Sequence, residues 1–435
     1  MSNIEIMDIT KHINSAHKAF EEWKKVPFEE RQKLLIKLAK VLEKNKEQYA
    51  ETITREMHKP ITQSLAEIEK SAGMIKYYAE AENVLKPENI KTEYDVSEVH
   101  YDPMGIILGV MPWNFPFWQV LRFAIPTILA GNVVVLKHAS ICFESGDEIE
   151  NAFSEAGFPK NIFQNLRIGH NEIQEILENP LVRGVSLTGS EKAGGTVAAL
   201  AGKNIKKSVL ELGGSDAFIV LEDSDFEKAA KEGPWAKLQN TGQICNAAKR
   251  FIVHKKIEKE FVPKFIEEYN SYQPADPMKK ETRLGKMARP DLADDLENQY
   301  KKALKNGAEV VVPLERISEN EFRPGIILVE EGNPILQEEL FGPLAMLMIG
   351  KDDEHILKLA NDIPFGLGNA VWTKDKKRAQ FFIDNLQSGT VSINKATSSD
   401  TRLPFGGAKS SGYGVELSLH ALKEFTQVKT VVGNI

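Results

Sequence analysis

Apolar residues recur at helical spacing near the start of the chain and form short, continuous runs further along it. In residues 27–57 the apolar positions fall on one face of a helix and charged residues occupy the others. We therefore predict helices over residues 12–82. Residues 89–102 alternate polar residues with β-branched or aromatic ones, which predicts a hairpin or an edge ribbon.

The pattern changes to one of alternating strands and helices after residue 104. Apolar, β-rich runs at 105–112, 132–137, 161–167 and 183–189 enclose helical stretches at 118–130, 144–156 and 170–178. A second such region starts at 208 and ends near 410, with helices expected at 224–240, 256–270 and 292–306, strands at 308–313, 344–350, 369–373 and 389–394, and a short strand in the tail from 428. Near-continuous apolar strands separated by helices are typical of a parallel sheet that is buried on both faces. The predicted fold class is α/β with two doubly wound parallel sheets, whose ligands bind beyond the carboxyl ends of the strands.

Composition excludes several classes of function. Acidic residues outnumber basic ones by 62 to 55 and the two are interspersed, which argues against a nucleic-acid surface. No apolar run is long enough to cross a membrane, and the opening segment lacks the apolar core of a signal peptide, so we expect a cytoplasmic location. The chain holds two cysteines, Cys142 and Cys245, and no His-Glu-x-x-His spacing, so we expect no disulfide framework and no bound metal. Each cysteine is then either a small buried residue or a nucleophile.

Two glycine-containing turns are candidate sites. Gly189 and Ser190 lie where an apolar strand gives way to a helix, and a helix N-terminus presents free N–H groups that suit a phosphate. Taken alone, this strand-to-helix corner is also consistent with a simple turn that binds no ligand. Glu211 lies where a strand meets two glycines, and burial there would raise its pKa toward the working range of a general base. A glutamate that caps a backbone turn is the alternative.

Two further segments carry polar groups suited to covalent catalysis. Cys245 has polar neighbours on both sides, and a helix ending in its loop would place backbone donors near the thiol and favour the thiolate. Asn114 lies among aromatics and prolines at the end of the first parallel strand, and its amide could donate to a developing oxyanion. Core packing is the alternative for both. The segments 338–343 and 404–414 are glycine-rich and aromatic, and by themselves they indicate loops.

Seven segments together resemble the NAD(P)-dependent aldehyde dehydrogenase superfamily. They occur in the family's order along the chain: PWNFP, VVVLK, LTGS, ELGG, GQIC, EELFGP and PFGG. The longer strings LPFGGAKSSGYGVELS and NTGQICNAAKRFIV are similar to the branch that oxidises succinate semialdehyde. The resemblance covers nearly the whole chain and implies the aldehyde dehydrogenase fold, oxidation of an aldehyde to an acid, and NADP or NAD as the cofactor.

The resemblance assigns catalytic roles to three residues. Cys245 matches the nucleophile, which forms a thiohemiacetal and then a thioester. Asn114 and the backbone N–H of Cys245 match the groups that hold the oxyanion. Glu211 matches the base that activates the hydrolytic water. Cys142 matches no functional position and is interpreted as a small buried residue.

The resemblance also implies a cofactor site. Its residues are Trp113, Lys137, Ser140, Gly169, Gly189, Ser190, Glu339 and Phe341. Many NAD-preferring members carry a glutamate three residues after the matched lysine, where this chain has Ser140. A carboxylate at this position would repel the 2′-phosphate of NADP, whereas a serine would not. We therefore expect this chain to accept NADP and to prefer it to NAD.

For the substrate, Arg122 matches an arginine that binds the carboxylate of succinate semialdehyde, because a guanidinium pairs with a carboxylate in bidentate fashion. A surface arginine is the alternative. Some members carry a second arginine six residues before the nucleophile, where this chain has Gln239. Ser399 and Arg402 are the residues that we expect to compensate.

The resemblance further implies an arrangement of domains and subunits. We expect a cofactor-binding domain of residues 1–85 and 104–212, a catalytic domain of 213–410, and an oligomerisation ribbon of 86–103 and 423–435 that forms a homodimer or homotetramer. The alternatives for function are a broad short-chain aldehyde dehydrogenase, a CoA-acylating enzyme, and a non-catalytic, crystallin-like protein. The presence of Glu211 argues against the second, and the three catalytic matches argue against the third.

Overall fold

The amino-terminal region is helical, as its spacing predicts, in a computed structural model that describes residues 8–434. The fourteen helices of these residues are α1 Ile9–Trp23, α2 Phe28–Lys44, α3 Lys46–Met57, α4 Ile61–Ala79, α5 Trp118–Leu129, α6 Phe143–Glu155, α7 Glu172–Glu178, α8 Glu191–Lys203, α9 Phe226–Leu238, α10 Glu258–Asn270, α11 Pro290–Lys305, α12 Asp353–Asn361, α13 Lys376–Asn385 and α14 Ala421–Glu424. Helix α2 buries Leu35, Leu38 and Leu42, which recur at the predicted spacing. This buried face fixes how the helices pack, and α4 is thereby held beside α5 and the residues that precede it.

Twenty strands complete the described chain. They are β1 Glu88–Asn89, β2 Val96–Pro103, β3 Ile106–Met111, β4 Val133–His138, β5 Phe163–Asn165, β6 Val182–Thr188, β7 Lys207–Glu211, β8 Asp216–Val220, β9 Ala248–His254, β10 Glu309–Val312, β11 Glu315–Ser318, β12 Glu321–Arg323, β13 Gly325–Leu328, β14 Leu344–Gly350, β15 Phe365–Gly366, β16 Gly368–Trp372, β17 Thr390–Ile393, β18 Ala408–Lys409, β19 Gly412–Tyr413 and β20 Thr426–Gly433. The strands expected from the apolar runs are all present. The sequence analysis did not single out strand β9, whose apolar run is interrupted by Lys249 and Arg250. It also did not single out the charged hairpin β11–β12, strand β13 or helices α12 and α13, because these segments are short.

Two parallel sheets form the framework. The first has the order β19-β7-β6-β3-β4-β5 and is parallel except for β19, which pairs with β7 in antiparallel fashion. The second has the order β10-β13-β14-β9-β8-β16-β17 and is parallel except for β10. Strands β3, β4 and β8 are almost wholly buried, which explains their near-continuous apolar sequences. Strand β9 is equally buried, although it carries Lys249, Arg250 and His254. The doubly wound α/β prediction is confirmed.

A third, three-stranded antiparallel sheet joins β1, β2 and the terminal strand β20. Strand β20 pairs with β2 from Val96↔Gly433 to Pro103↔Thr426, so the predicted ribbon and the predicted tail strand are neighbours. Val428 and Val432 of β20 are more than half exposed. Among the described residues no helix is long and apolar enough to cross a membrane.

Candidate active site

Cys245 lies in the loop that joins α9 to β9, as expected from the end of the preceding helix. Three consecutive residues of this loop, Asn240, Thr241 and Gly242, have positive φ values of 49°, 56° and 78°. The left-handed conformation turns the chain sharply and is unfavourable for a β-branched residue such as threonine. The surroundings therefore hold the loop that presents the thiol in one conformation.

Lys249, the second residue of β9, holds this loop in place. Its side chain is fully buried, donates to the carbonyl oxygen of Ile244 at 2.6 Å and to that of Cys245, and forms an ion pair of 3.0 Å with Glu339. Burial raises the pKa of the Cys245 thiol to about 11, while the charges of Lys249 and Arg122 act to lower it. The expectation that the loop favours the thiolate is thus not met, because desolvation outweighs both cations.

Asn114 approaches the same loop from the end of β3. Its Nδ2 donates to the backbone carbonyl of Gln243 at 3.0 Å, and Nδ2 of Asn240 donates to the Asn114 carbonyl at 2.8 Å. An asparagine amide has two N–H groups, so one remains available to a reacting oxygen. The backbone N–H of Cys245 donates to no acceptor within the described chain. One N–H of the Asn114 amide and the backbone N–H of Cys245 therefore remain available, and both residues line the same cavity.

Glu67, in α4, fixes the segment that carries Asn114. One carboxylate oxygen accepts from the backbone N–H groups of Phe117 and Trp118 at 2.8 and 2.9 Å, at the start of α5. The other accepts from the buried ammonium of Lys59 at 2.5 Å. A carboxylate at a helix N-terminus is stabilised by free N–H groups, so Glu67 ties α4 to the active-site turn.

Glu211 ends β7 and is buried, with neither carboxylate oxygen bonded to any described residue. Burial raises its pKa well above the usual value, and the charge of Arg122 acts in the opposite direction. The glycines that follow it are required: a Cβ at Gly214 would lie 2.7 Å from the Cys245 carbonyl oxygen. The turn therefore brings Glu211 to the thiol loop as a buried carboxylate that is suited to take up a proton.

A cavity on one side of Cys245 is lined by five of the eight predicted cofactor residues. It is lined by Trp113, Asn114, Thr188, Gly189, Ser190, Gly213, Cys245, Glu339 and Phe341. Ser190 is the N-cap of α8, so free backbone N–H groups face this cavity, and the buried hydroxyl of Thr188 has no partner in the described chain. Trp113 and Phe341 meet edge to face at 5.8 Å, and Glu339 accepts from the backbone N–H of Gly214 at 3.1 Å.

The remaining predicted cofactor residues lie further along the same edge of the first sheet. Lys137 is on β4, Ser140 follows that strand, and Gly169 follows β5, so all three are near carboxyl ends of parallel strands. Burial lowers the pKa of Lys137. Ser140 and Gly169 are exposed. This edge is where a doubly wound sheet binds nucleotides, and the residues present fit NADP or NAD.

A second cavity opens on the other side of Cys245. Arg122 reaches it from α5 as a buried side chain, with its guanidinium 4.8 Å from the ring centre of Phe405. The Arg122 Nε forms an ion pair with Glu416, and Nη2 has no hydrogen-bond acceptor among the described residues. The surface alternative for Arg122 is thereby excluded. Cys245 lines both cavities.

The structure separates the two residues that were expected to assist Arg122. Ser399 lines the second cavity, as predicted. Arg402 is exposed outside it and binds Asp400 through Nε at 2.9 Å and Nη2 at 2.6 Å. Its guanidinium is therefore engaged on the surface, and Arg402 does not join the site in this conformation.

Four residues with evident roles escaped the sequence analysis as functional candidates. They are Glu67, Lys70, Lys249 and Glu416. Glu67 and Lys70 belong to an ordinary amphipathic helix far from Cys245 in sequence, so only the packing of α4 against α5 reveals them. Lys249 lies four residues after Cys245, within one of the segments that resemble the family. Its burial, which reveals its role in the loop, is visible only in the structure.

The family model described as the aldehyde dehydrogenase family matches residues 1–431. The chain belongs to the aldehyde dehydrogenase family. It is thus an oxidoreductase, as the ordered motifs predicted, and the resemblance stated from those motifs is confirmed.

Several relatives of this aldehyde dehydrogenase are similar over nearly their whole length. A probable NADP(+) succinate-semialdehyde dehydrogenase of Synechocystis is 40% identical over 429 residues, which cover 98% of this chain and 94% of the relative. The NAD(P)+ succinate semialdehyde dehydrogenase Sad of Escherichia coli is 40% identical over 428 residues, covering 98% and 93%. The crystal structure of a Streptococcus pyogenes succinic semialdehyde dehydrogenase with NADP+ superimposes with a TM-score of 0.95 at 34% identity, covering 99% and 96%.

Proposed function

We propose that this aldehyde dehydrogenase oxidises succinate semialdehyde to succinate with NADP or NAD. The observation that carries the proposal is the position of Cys245 between two cavities. One is lined by five of the predicted cofactor residues, and the other contains a buried arginine. The similarity to enzymes named for succinate semialdehyde supports the same substrate.

The first half of the reaction is carried by Cys245 and Asn114. The thiol releases its proton to water and the sulfur bonds to the aldehyde carbon. The π electron pair of the C=O bond moves to the carbonyl oxygen, which becomes an oxyanion. The Asn114 amide and the Cys245 backbone N–H donate to that oxygen and stabilise its charge. The cofactor, which residues such as Ser190, Glu339 and Phe341 would hold, would supply a nicotinamide as acceptor for the hydride from the former aldehyde carbon. The carbon is thereby oxidised and remains attached to Cys245 as a thioester.

The second half is carried by Glu211. Its carboxylate takes a proton from water, and the resulting hydroxide attacks the thioester carbon. The carbon–sulfur bond breaks, the acid leaves, and the thiolate recovers a proton. A buried carboxylate with a raised pKa suits this task because it holds a proton more tightly than an exposed carboxylate does.

The buried guanidinium of Arg122 supports a carboxylated substrate. Its charge is paired with Glu416, but its Nη2 has no acceptor in the described chain, and a buried donor left without an acceptor is costly. A substrate carboxylate would supply the missing acceptor. An uncharged short-chain aldehyde would leave it unpaired, which disfavours the broader specificity.

Ser140 supports a preference for NADP. It follows β4 on the cofactor edge and is exposed, so it brings no negative charge toward a 2′-phosphate. The relatives named above carry NADP(+) or NAD(P)+ in their descriptions. Use of NAD alone by the purified enzyme would contradict this preference.

A steady-state panel tests the proposed reaction. Succinate semialdehyde and butanal are compared with each cofactor, with and without CoA, and the ratio of kcat/KM values gives the specificity. We expect the highest kcat/KM with succinate semialdehyde and NADP, and no dependence on CoA. An absolute need for CoA supports the acylating alternative, and cofactor binding without turnover supports the non-catalytic one.

A homodimer or homotetramer in the cytoplasm completes the proposal, and it is supported by β20. That strand lies at the edge of a three-stranded sheet and exposes Val428 and Val432, a surface that a second copy of the chain would cover. The free thiol of Cys245 suits a reducing compartment. Sedimentation of the wild type as a monomer would contradict the assembly.

A further inference from the structure

The cavity that holds Arg122 contains a second cationic side chain, which comes from a different helix. Lys70, in α4, lines the cavity together with Arg122, Cys245 and Ser399. Its ammonium lies 4.2 Å from the ring centre of Trp118 and donates to Ser399 Oγ at 2.6 Å. These two contacts place the lysine head group at the entrance of the cavity rather than in bulk solvent.

The two cations differ in how their charge is balanced. Arg122 forms an ion pair with Glu416. Lys70 has no carboxylate within ion-pair distance among the residues described, and Glu67, one turn before it on α4, is committed to Lys59 and two backbone N–H groups. An excess positive charge therefore faces the cavity from the side of Lys70.

The environment of Lys70 agrees with a site built for an anion. Its side chain remains accessible to solvent because the cavity is open on that side. Desolvation by the surrounding protein, followed by the charge of Arg122, nevertheless lowers its pKa to about 8. The ammonium is thus largely protonated at neutral pH, and an anion bound between the two cations would be favoured by both.

We propose that Lys70, with Arg122 and Ser399, binds the carboxylate of the substrate and sets the preference for acidic over neutral aldehydes. The inference rests on the proposed function. Lys70 thereby takes the role in substrate binding that the sequence analysis assigned to Arg402. The Ser399 hydroxyl, which accepts from Lys70, can in turn donate to the same carboxylate.

The test compares Lys70→Met with Lys70→Arg. Methionine preserves the length and the apolar stem of the side chain, while arginine preserves the charge. Lys76→Met is the matched control, since Lys76 is an exposed lysine on the same helix, paired with Glu43. The kcat/KM of each enzyme is measured with succinate semialdehyde and with butanal at a fixed NADP concentration.

We expect Lys70→Met to lower kcat/KM for succinate semialdehyde by about 10- to 100-fold, the range for loss of a hydrogen bond between charged groups. The loss should fall mainly in KM, while butanal changes by less than about twofold. Lys70→Arg should retain most of the preference, and Lys76→Met all of it. Equal losses with both aldehydes, or no loss with either, would overturn the inference.

The comparison also separates this inference from the proposed function. A wild-type enzyme without preference for succinate semialdehyde over butanal refutes the proposed substrate and, with it, the role of Lys70. A wild-type preference that Lys70→Met retains and Arg122→Met abolishes refutes the role of Lys70 alone.

Discussion

Replacing Glu211 by glutamine should separate the two halves of the reaction. The amide keeps the shape of the carboxyl group and removes its ability to accept a proton. The neighbouring carboxylates Glu416 and Glu339 are paired with Arg122 and Lys249, so neither is free to take over this task. General-base catalysis contributes about 10²- to 10⁴-fold, which corresponds to about 3–5 kcal/mol of transition-state stabilisation. We therefore expect steady-state turnover to fall by about that factor.

The assay is a rapid-mixing measurement of NADPH absorbance. Because Cys245 can still be acylated, Glu211→Gln should release NADPH in a burst equal to the enzyme concentration, followed by a slow steady rate. Cys245→Ala is the control and should show no burst. Wild-type steady-state turnover in Glu211→Gln, or a folded variant that binds NADP and shows no burst, would refute the assignment of Glu211 to deacylation.

Thermal unfolding gives an independent check on the same variant. Burial raises the folded-state pKa of Glu211 above its value in the unfolded chain, so the folded state binds this proton more tightly. The wild type therefore loses stability as the pH rises from about 4.3 through the folded-state pKa. Glutamine does not titrate, so the variant does not lose stability in this way as the pH rises. Glu211→Gln should therefore unfold at the same or a higher Tm than the wild type at pH 8. A markedly lower Tm would contradict the view that the carboxylate lacks partners.

Three further predictions address the groups around the thiol. Asn114→Ala should lower the burst rate by about 10²- to 10³-fold in rapid mixing, as expected for loss of an oxyanion donor, and an unchanged rate would exclude that role. In a Cys142→Ala background, the rate of Cys245 alkylation by iodoacetamide should rise about tenfold per pH unit from pH 7 to near the pKa of about 11, and a plateau below pH 8 would contradict the desolvation argument. Glu67→Gln should lower the free energy of unfolding in urea by about 3 kcal/mol because it breaks a buried ion pair. Glu69→Gln, which removes a surface pair on the same helix, should leave it nearly unchanged.

The parts of the fold that could be predicted are those with strong local signals. Continuous apolar runs identified most of the parallel strands but not β9 or β13. The ribbon at 89–102 and the tail strand were recognised by alternation and position. The pairing of β2 with β20 joins segments more than 300 residues apart, so local pattern alone could not establish it. The resemblance to a family supplied that connection.

The residues of the candidate site likewise divide into those with a local sequence signal, which could be predicted, and those without one. Cys245, Glu211 and Asn114 could be predicted as catalytic residues because each lies in one of the seven motifs that together resemble the family, whereas each motif alone left a structural alternative open. Lys70 was not found, because its neighbours in sequence describe only an amphipathic helix and its neighbours in space come from α5 and the loop at Ser399. The position of Arg402 in the chain predicted that its side chain would lie in the cavity. The ion pair with nearby Asp400 holds its guanidinium at the surface instead.

Mass spectrometry of the acyl-enzyme tests the central claim most directly. Glu211→Gln is mixed with NADP and succinate semialdehyde, quenched in acid after the burst, and digested. The account predicts a single succinyl group on the peptide that contains Cys245, present only when cofactor and aldehyde are both added. Reduction of NADP without acylation of Cys245, or acylation of a different residue, would contradict it.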